Sequence, residues 1–124
     1  MTTDLPPIYA TSEDYERLTA LRDKLRPGPG ARLLFDELAR LQVAAPDVEP
    51  FARLGARVRY LNAQNQRIKT ARLVMPKEET LHESSVTVTS PMGAALLGLQ
   101  AGREFAWRDH GGSHRRVTVL EILD

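Results

Sequence analysis

The first third of the chain carries apolar residues at the spacing of amphipathic helices. Four of them fall at intervals of three and four residues: Tyr15, Leu18, Leu21 and Leu25. Such intervals place the side chains on one face of a helix. Thr11 or Ser12 can cap the free N–H groups at the start of this helix. We expect the helix to end near Arg26, because the residue before a proline disfavours helical backbone.

A second helix is predicted over residues 31–43. Its apolar stripe has four members: Leu34, Phe35, Leu38 and Leu41. Two prolines and two glycines alternate from Pro27 to Gly30 and interrupt the helical pattern between the two stripes. The short connection implies that the helices pack antiparallel. The pattern therefore predicts a short helical hairpin whose tip is the stretch RPGPG.

The period of the apolar pattern changes from about 3.6 to about 2 beyond the segment AAPDVEP at residues 44–50. We place a domain boundary there, with a helical hairpin over residues 1–48 and a second domain over residues 49–124. RVRYLN alternates as a strand, NAQN fits a hairpin turn, and QRIKTARLVM reads as the next strand. In that strand the apolar phase shifts between Ile68 and Leu73, which indicates a β-bulge.

The rest of the chain reads as one more strand, a short helix and a hairpin. SVTVTS has the strand pattern, and the helix follows in SPMGAALLGLQAG at residues 90–102. Ser90 suits the cap of this helix and Pro91 suits its first turn. EFAWRD and RRVTVLEILD are predicted strands joined by a glycine turn at residues 111–112. The predicted fold class is α+β, a helical hairpin followed by a small antiparallel sheet with one short helix.

The composition is that of a globular protein, with 42% apolar and 27% charged residues in a chain of 124. The absence of cysteine excludes a disulfide framework and a cysteine-based zinc site. The first residues lack the basic and apolar regions of a signal peptide. No apolar run approaches the roughly 20 residues of a membrane span. We therefore expect a soluble, cytoplasmic protein without a membrane contact.

The formal net charge of +1 is divided unevenly along the chain. Residues 1–50 hold nine acidic and six basic residues, whereas residues 51–124 hold seven acidic and eleven basic ones. This polarity is far below that of the strongly basic face of a DNA-binding domain. The predicted hairpin tip combines three cations with a single acid: Lys24, Arg26, Arg32 and Asp23.

Residues with catalytic or metal-binding chemistry are scattered. GPGARLL lacks the Lys-Ser/Thr pair of a phosphate-binding loop and follows a helix rather than a strand. His110 and His114 flank a glycine turn, where solvated side chains are more common than metal ligands. The close acidic pairs, at residues 47 and 49 and at 78–79, fit a solvated surface. No serine lies in a nucleophile-elbow context. We predict no enzymatic activity, no metal and no cofactor.

The least ordinary segment is the stretch 90–102, because no residue from Pro91 to Gly102 is charged. Most of its leucines and alanines are expected to cover the open face of the sheet. Its start, Ser90-Pro91-Met92, can form an exposed docking ridge for a protein partner. Proline contributes rigid apolar area at low entropic cost, and methionine adapts its shape to a partner.

The same stretch carries a family resemblance. SPMGAALLGLQAG, followed by a strand, a glycine turn and VTVLEIL, resembles the C-terminal domain of the bacterial Gre transcript-cleavage factors over residues 51–124. With ELARLQVAAPDVEP placed before the sheet domain, nearly the whole chain resembles the Rnk-type regulators of nucleoside diphosphate kinase. The resemblance implies an FKBP-like sheet domain preceded by a coiled-coil hairpin.

The resemblance also implies a partner, bacterial RNA polymerase, bound by a monomer at the rim of the secondary channel. The docking loop of Gre factors has an acidic or amide residue, then Ser-Pro and a hydrophobic residue. The corresponding positions here are Thr89, Ser90, Pro91 and Met92. Thr89 departs from that pattern, and so does Arg103, where Gre factors usually carry an acid. A contact between the tip and nucleic acid is expected to be secondary.

The tip departs most from the Gre pattern. Gre factors carry acidic residues on a long hairpin that helps to hold a catalytic magnesium ion, a hard cation that prefers carboxylate oxygens. Here Arg26 and Arg32 surround the tip of a shorter hairpin. The resemblance thus implies a regulator that competes with Gre factors, does not stimulate transcript cleavage and affects nucleoside diphosphate kinase indirectly. A Gre-type cleavage factor and an FKBP-like peptidyl-prolyl isomerase are the alternatives.

Overall fold

The computed structural model describes residues 5–79, 84–109 and 111–123. The described α-helices are α1 (Ser12–Arg22), α2 (Pro29–Leu38) and α3 (Pro91–Leu96). The strands are β1 (Ile8–Ala10), β2 (Leu41–Val43), β3 (Arg57–Asn62), β4 (Arg67–Val74), β5 (Ser85–Thr87), β6 (Glu104–Arg108) and β7 (His114–Ile122). A 3₁₀ turn, Pro76–Glu78, follows β4. None of the described helices is long and apolar enough to cross a membrane. The predicted α+β class is confirmed.

The larger sheet has five strands in the order β5-β4-β3-β7-β6. Its neighbours pair antiparallel except β4 and β5, which run parallel. The prediction of a purely antiparallel sheet is therefore wrong at this edge. A parallel neighbour needs a connection longer than a hairpin turn, and the sequence between Val74 and Ser85 is long enough to supply it.

The sheet has an irregularity, but in a different strand from the one in which a bulge was predicted. The β3–β4 ladder is continuous from Arg57 opposite Arg72 to Asn62 opposite Arg67. The irregularity is in β7, where the pairing with β3 passes over Leu120. Ile68 is 51% exposed, because the first half of β4 extends beyond the core. Its apolar character therefore carries no information about the sheet face, and the predicted bulge in β4 is wrong.

Helix α1 begins as predicted and ends earlier. The Thr11 hydroxyl accepts a hydrogen bond of 3.1 Å from the Asp14 backbone N–H, which confirms the predicted cap. The helix ends at Arg22, four residues before the predicted end. The chain tightens there, because the Lys24 N–H donates to the carbonyl of Leu21 at 2.9 Å instead of continuing the α-helical ladder.

Helix α2 is shorter than the prediction of 31–43. It ends at Leu38, and residues 41–43 form β2, which pairs in parallel with β1. Leu41 lies opposite Ile8, and the Ala44 N–H donates to the carbonyl of Ala10 at 2.9 Å. The backbone of the predicted last helical turn therefore bonds to β1. Together β1 and β2 form a separate two-stranded sheet beside the helices.

One hydrophobic core joins the helices to the five-stranded sheet. Leu18 of α1 and Leu34 of α2 are fully buried in the same cluster as Val58, Leu73 and Val119 of the sheet. Among the described elements, α2 has its most extensive contact with α3, and it contacts α1 much less. A coiled-coil hairpin is therefore not confirmed, and the boundary at residue 48 stays a prediction.

The end of α2 is attached to the sheet and to the N-terminal segment by Arg40. Its guanidinium forms two hydrogen bonds of 2.8 Å with the carboxylate of Glu37, whose side chain is only 4% exposed. It also donates to the carbonyl of Pro6. The same guanidinium lies 5.4 Å from the ring centroid of Phe105 in β6. Arg40 thus connects three parts of the fold through one cation.

Candidate functional site

The turn that precedes α3 is held by its own side chains. The Ser90 hydroxyl accepts from the Gly93 N–H at 3.1 Å and donates to the carbonyl of Thr87 at 2.7 Å. Pro91 occupies the first turn of α3. The predicted roles of Ser90 as cap and of Pro91 as first helical residue are confirmed. These bonds fix the backbone of the turn, so any group that it displays is presented rigidly.

The four predicted docking residues differ in exposure. Pro91 is exposed, whereas Thr89 and Ser90 are partly buried. Met92 is partly buried and packs against the hydrophobic core. Of the three residues of the expected exposed ridge, Ser90-Pro91-Met92, only Pro91 is fully exposed. Buried leucines and alanines follow in the same segment, as predicted, and all are at most 1% exposed: Ala94, Ala95, Leu96, Leu97 and Leu99.

The hairpin tip is basic and exposed, as its composition predicts. Asp23, Lys24, Arg26 and Arg32 all lie on the surface. The Asp23 carboxylate is 3.8 Å from the Nε of Arg22, and Arg32 is 3.8 Å from Asp36. Within the described part of the chain, Lys24 and Arg26 have no ion-pair partner, so their charges face solvent.

Gly30 brings the tip against the turn of residues 89–92, which we call the docking turn. A Cβ atom on Gly30 would lie 2.0 Å from the carbonyl oxygen of Thr89 and 2.8 Å from the carbonyl carbon of Ser90. No residue other than glycine fits this approach without movement of the backbone. Gly28 differs, because a Cβ there would meet nothing within 4 Å. The sequence identified both glycines with the chain reversal, but Gly30 lies inside α2 and serves helix packing.

The tip, α1 and the 3₁₀ turn enclose an apolar groove of about 900 Å³, which we call the tip groove. One wall is formed by Arg17, Ala20, Leu21 and Lys24, and a second wall by residues 75–78. Residues 25–31 of the tip, and Thr89 and Pro91 of the docking turn, also line the groove. No pattern in the sequence indicates the groove, because its walls come from segments far apart in the chain.

Glu78 attaches the 3₁₀ turn to α1. Its carboxylate accepts from the Met75 backbone N–H at 3.2 Å and lies 3.4 Å from the guanidinium of Arg17. Arg17 in turn lies 3.7 Å from Asp14. Glu78 lies at the surface as expected, with its side chain 40% exposed, and its carboxylate has these partners beside the tip groove.

Burial disfavours the anionic form of the Asp14 carboxyl group. Burial raises the pKa of Asp14 above its ordinary value, while the Thr11 hydroxyl and Arg17 oppose that rise. A raised folded-state pKa means that the folded chain holds the proton more tightly than the unfolded chain does. The carboxyl group therefore favours folding most at acidic pH, and this contribution falls as the pH rises through the raised pKa.

We expect the Asp14→Asn variant to reveal this dependence. The free energy of unfolding of the wild type, minus that of the variant, should be larger at about pH 3 than at about pH 7. Urea unfolding at a series of pH values measures this difference. A difference that stays constant with pH, or one that grows towards neutral pH, contradicts the assignment. Glu16→Gln is the control, since Glu16 is an exposed acid of the same helix.

Among the described residues, the other candidate side chains are not gathered into a metal site. His114 is exposed at the start of β7 and lies 3.4 Å from Arg108, and His110 lies outside the described residues. The glycine turn between β6 and β7 is confirmed, with a positive φ of 85° at Gly112. In residues 5–79, 84–109 and 111–123, no group of three or more histidine or acidic side chains could hold a metal ion.

Comparisons with known proteins place the chain in a family. Residues 48–124 match the family model described as "Transcription elongation factor, GreA/GreB, C-term". The chain is 31% identical to the "Regulator of nucleoside diphosphate kinase" of Escherichia coli strain K12, over 94% of this chain and 89% of that protein. The same identity and coverage hold for the protein of that name in Shigella flexneri.

Solved structures agree with the sequence matches. The structure described as a prokaryotic transcription elongation factor GreA/GreB from Nitrosomonas europaea is 33% identical, with a TM-score of 0.69, and the match covers 96% of this chain and 99% of that one. Thermus aquaticus Gfh1 shares the fold at 18% identity, with a TM-score of 0.50 and coverage of 94% and 98%. The resemblance inferred from the sequence is confirmed. The chain therefore belongs to the GreA/GreB C-terminal family, as a Gre-related transcription regulator similar to the regulators of nucleoside diphosphate kinase.

Proposed function

We propose that this chain binds RNA polymerase at the rim of its secondary channel and competes there with Gre factors. The docking turn, residues 89–92, makes the contact, and the basic tip lies at the mouth of the channel. Any effect on nucleoside diphosphate kinase then arises indirectly through transcription. The proposal is supported by the family, since the related proteins are named as transcription elongation factors and as regulators of that kinase.

The observation that carries the proposal is the contact between the tip and the docking turn. Pro91 is exposed on a turn that Ser90 holds rigid, and Gly30 packs α2 directly against the same turn. Docking through Pro91 therefore fixes the position of the tip as well. A rigid apolar side chain loses little entropy on binding, so a small contact can be sufficient for recognition.

The tip is suited to blocking rather than to catalysis. Stimulation of transcript cleavage requires carboxylate oxygens that hold magnesium, and Asp23 is the only acid from residue 22 to residue 35. Arg26 and Arg32 are exposed on the same tip, and cations repel a metal ion. In addition, α2 is packed on α3 rather than extended from the domain. We infer that the chain excludes Gre factors and does not itself stimulate transcript cleavage.

The alternative of a cleavage factor is tested with backtracked elongation complexes. Shortening of the RNA 3′ end by sub-stoichiometric amounts of the chain would establish that alternative. The isomerase alternative receives no support from the groove, because its described lining residues include no aromatic side chain. Proline-isomer exchange on a model peptide measures that activity directly.

The docking turn is tested with Pro91→Asp. Pro91 is exposed at the first turn of α3, where an acidic side chain is compatible with the helix dipole. The fold should therefore be retained, while the charge weakens an apolar contact. We expect retention of core polymerase to fall by about tenfold in a pull-down, the loss typical of an interface hot spot. Competition with a labelled Gre factor on core polymerase should fall in parallel.

Pro46→Asp is the matched control, since Pro46 is an exposed proline far from the docking turn in sequence. It should leave both readouts within about twofold of the wild type. Equal retention of polymerase by the Pro91→Asp variant and the wild type removes the proposed dock. An equal loss of polymerase retention in both variants points to an unspecific effect of the added charge. That result also rules out the proposed dock at Pro91.

A further inference from the structure

One wall of the tip groove is a helical stripe with a small residue at its centre. Arg17, Ala20, Leu21 and Lys24 follow one another at the i, i+3, i+4 and i+7 positions of α1 and the turn after it. Residues at this spacing share one helix face. Ala20 is exposed and short, so the backbone of a second helix can approach α1 closely at this point.

The second wall contributes two apolar and adaptable residues. Met75 and Pro76 belong to it, and Pro91 also lines the groove. Methionine adapts to the shape of a partner, and proline contributes rigid apolar surface. The groove of about 900 Å³ has room for several aliphatic side chains. No strand contributes an open edge to its described lining, so the addition of a β-strand is not a means of binding here.

The rim of the groove is positively charged. Lys24, Arg26 and Lys77 line it with exposed side chains, and within the described structure they have no ion-pair partner. The acid of the lining is Glu78, whose carboxylate is engaged by Arg17 and by the Met75 backbone N–H. The unpaired charges of the described lining are therefore all cationic. Such a rim is complementary to carboxylates and repels cationic segments.

We propose that the tip groove binds an acidic amphipathic helix of a partner protein. The aliphatic side chains of that helix pack between α1 and the 3₁₀ turn, and its Glu and Asp residues face Lys24, Arg26 and Lys77. A nucleic acid fits the groove less well, because single strands are held by aromatic stacking and the described lining residues include no aromatic side chain. The proposal goes beyond the polymerase contact, since it requires neither polymerase nor the docking function of Pro91.

The test uses the purified chain and a fluorescein-labelled peptide of about 14 residues, long enough for several helical turns. The peptide carries Leu at the i, i+3, i+4 and i+7 positions and Glu elsewhere, and a second peptide carries Lys in place of Glu. Fluorescence anisotropy should show saturable binding of the acidic peptide, with the basic peptide at least about tenfold weaker. A rise from about 50 to about 200 mM salt should weaken the acidic peptide several-fold.

Two pairs of variants locate the binding. Ala20→Glu places a carboxylate at the centre of the helical stripe, and Ala45→Glu is its control at an exposed alanine outside the groove. Arg26→Glu reverses a rim charge, and Arg67→Glu makes the same change in net charge on an exposed residue of β4. We expect Ala20→Glu and Arg26→Glu to weaken the acidic peptide by about tenfold, and the two controls to stay within about twofold.

Three results overturn the proposal. The first is the absence of saturable binding up to about 1 mM peptide, the weak limit of specific recognition. The second is equal affinity for both peptides, or equal affinity of the Ala20→Glu variant and the wild type. The third is displacement of the peptide by single-stranded RNA of equal charge at lower concentration, which assigns the surface to nucleic acid. The polymerase pull-down is unaffected by these outcomes, so failure here is distinguishable from failure of the proposed function.

Discussion

Replacement of Gly30 by alanine is expected to destabilise the fold by roughly 3 kcal/mol, the cost of severe overpacking. The added Cβ would lie 2.0 Å from the carbonyl oxygen of Thr89, a backbone atom that cannot rotate away. The turn is held in place by the Ser90 hydrogen bonds, so α2 must move away from α3 instead. The better helix propensity of alanine offsets only about 1 kcal/mol of the cost.

Chemical denaturation of the Gly30→Ala and Gly28→Ala variants measures this effect. A Cβ on Gly28 meets nothing within 4 Å, and its φ of 162° is extended backbone that alanine adopts freely. Gly28→Ala should therefore cost at most about 1 kcal/mol, the difference between glycine and alanine as a helix cap. Equal midpoints for the two variants would show that α2 is not packed tightly on the docking turn.

The local features of this fold could be predicted from the sequence. The bounds of β3 match the stretch RVRYLN, and Ser90 and Pro91 occupy their predicted positions at the start of α3. Thr11 caps α1 as expected. In each case the signal comes from residues within a few positions of one another, such as an alternation or a capping side chain. The chemistry of neighbouring residues was therefore sufficient to predict these strand bounds and helix caps.

The end of α2 could not be predicted in this way. Leu41 continues the helical spacing of Leu34 and Leu38, yet it pairs in parallel with Ile8 near the N-terminus. Parallel pairing depends on a strand that is distant in the sequence, and helical spacing in one segment does not reveal it. A three-residue strand also carries too little pattern to be recognised by alternation.

The predicted stripe of α2 is confirmed at Leu34 and Leu38 but wrong at Phe35, for a related reason. The side of α2 that faces the protein contains Gly30 and Glu37 beside Leu34 and Leu38, whereas Phe35 is 52% exposed. Glycine contributes no hydrophobic signal, and glutamate ordinarily indicates solvent. The burial of Gly30 and Glu37 could therefore be recognised only from their partners in the fold. These are the docking turn for Gly30 and Arg40 for Glu37.

The candidate site shows the same division. Its basic composition could be predicted from the sequence, and the structure shows the tip cations on the surface. The position of the tip against the docking turn could not be predicted. The two approach closely because Gly30 has no side chain, and a glycine in a sequence does not indicate which segment packs against it. The groove walls at Arg17 and Met75 belong to elements that meet only in the folded chain.

Replacement of Arg40 by alanine is expected to cost about 3 kcal/mol of unfolding free energy, because it leaves a buried carboxylate without its partner. The Glu37 side chain is 4% exposed and receives both of its 2.8 Å hydrogen bonds from Arg40. The Pro6 carbonyl loses a donor, and the Phe105 ring loses its cation. The side chain of Arg40 is 21% exposed, so solvent screens part of the interaction. The expected cost therefore lies at the lower end of the roughly 3–5 kcal/mol that removal of one partner of a buried ion pair costs.

Arg32→Ala is the control, at an arginine within α2 itself. Arg32 lies 3.8 Å from Asp36, and both side chains are more than half exposed. An exposed pair of this kind contributes at most about 0.5 kcal/mol. Denaturant unfolding of both variants should therefore separate them by more than about 2 kcal/mol. Similar losses would mean that the Glu37 carboxylate is relieved by water or by movement of the end of α2.

A double variant, Arg40→Met with Glu37→Leu, decides which part of the Arg40 contact matters. An apolar pair of similar volume removes the buried charge together with its partner, so stability should return to within about 1 kcal/mol of the wild type. A double variant as unstable as Arg40→Ala would instead assign the loss to the Pro6 and Phe105 contacts. In that case the cation holds the N-terminal segment against the sheet, and the carboxylate serves only to orient it.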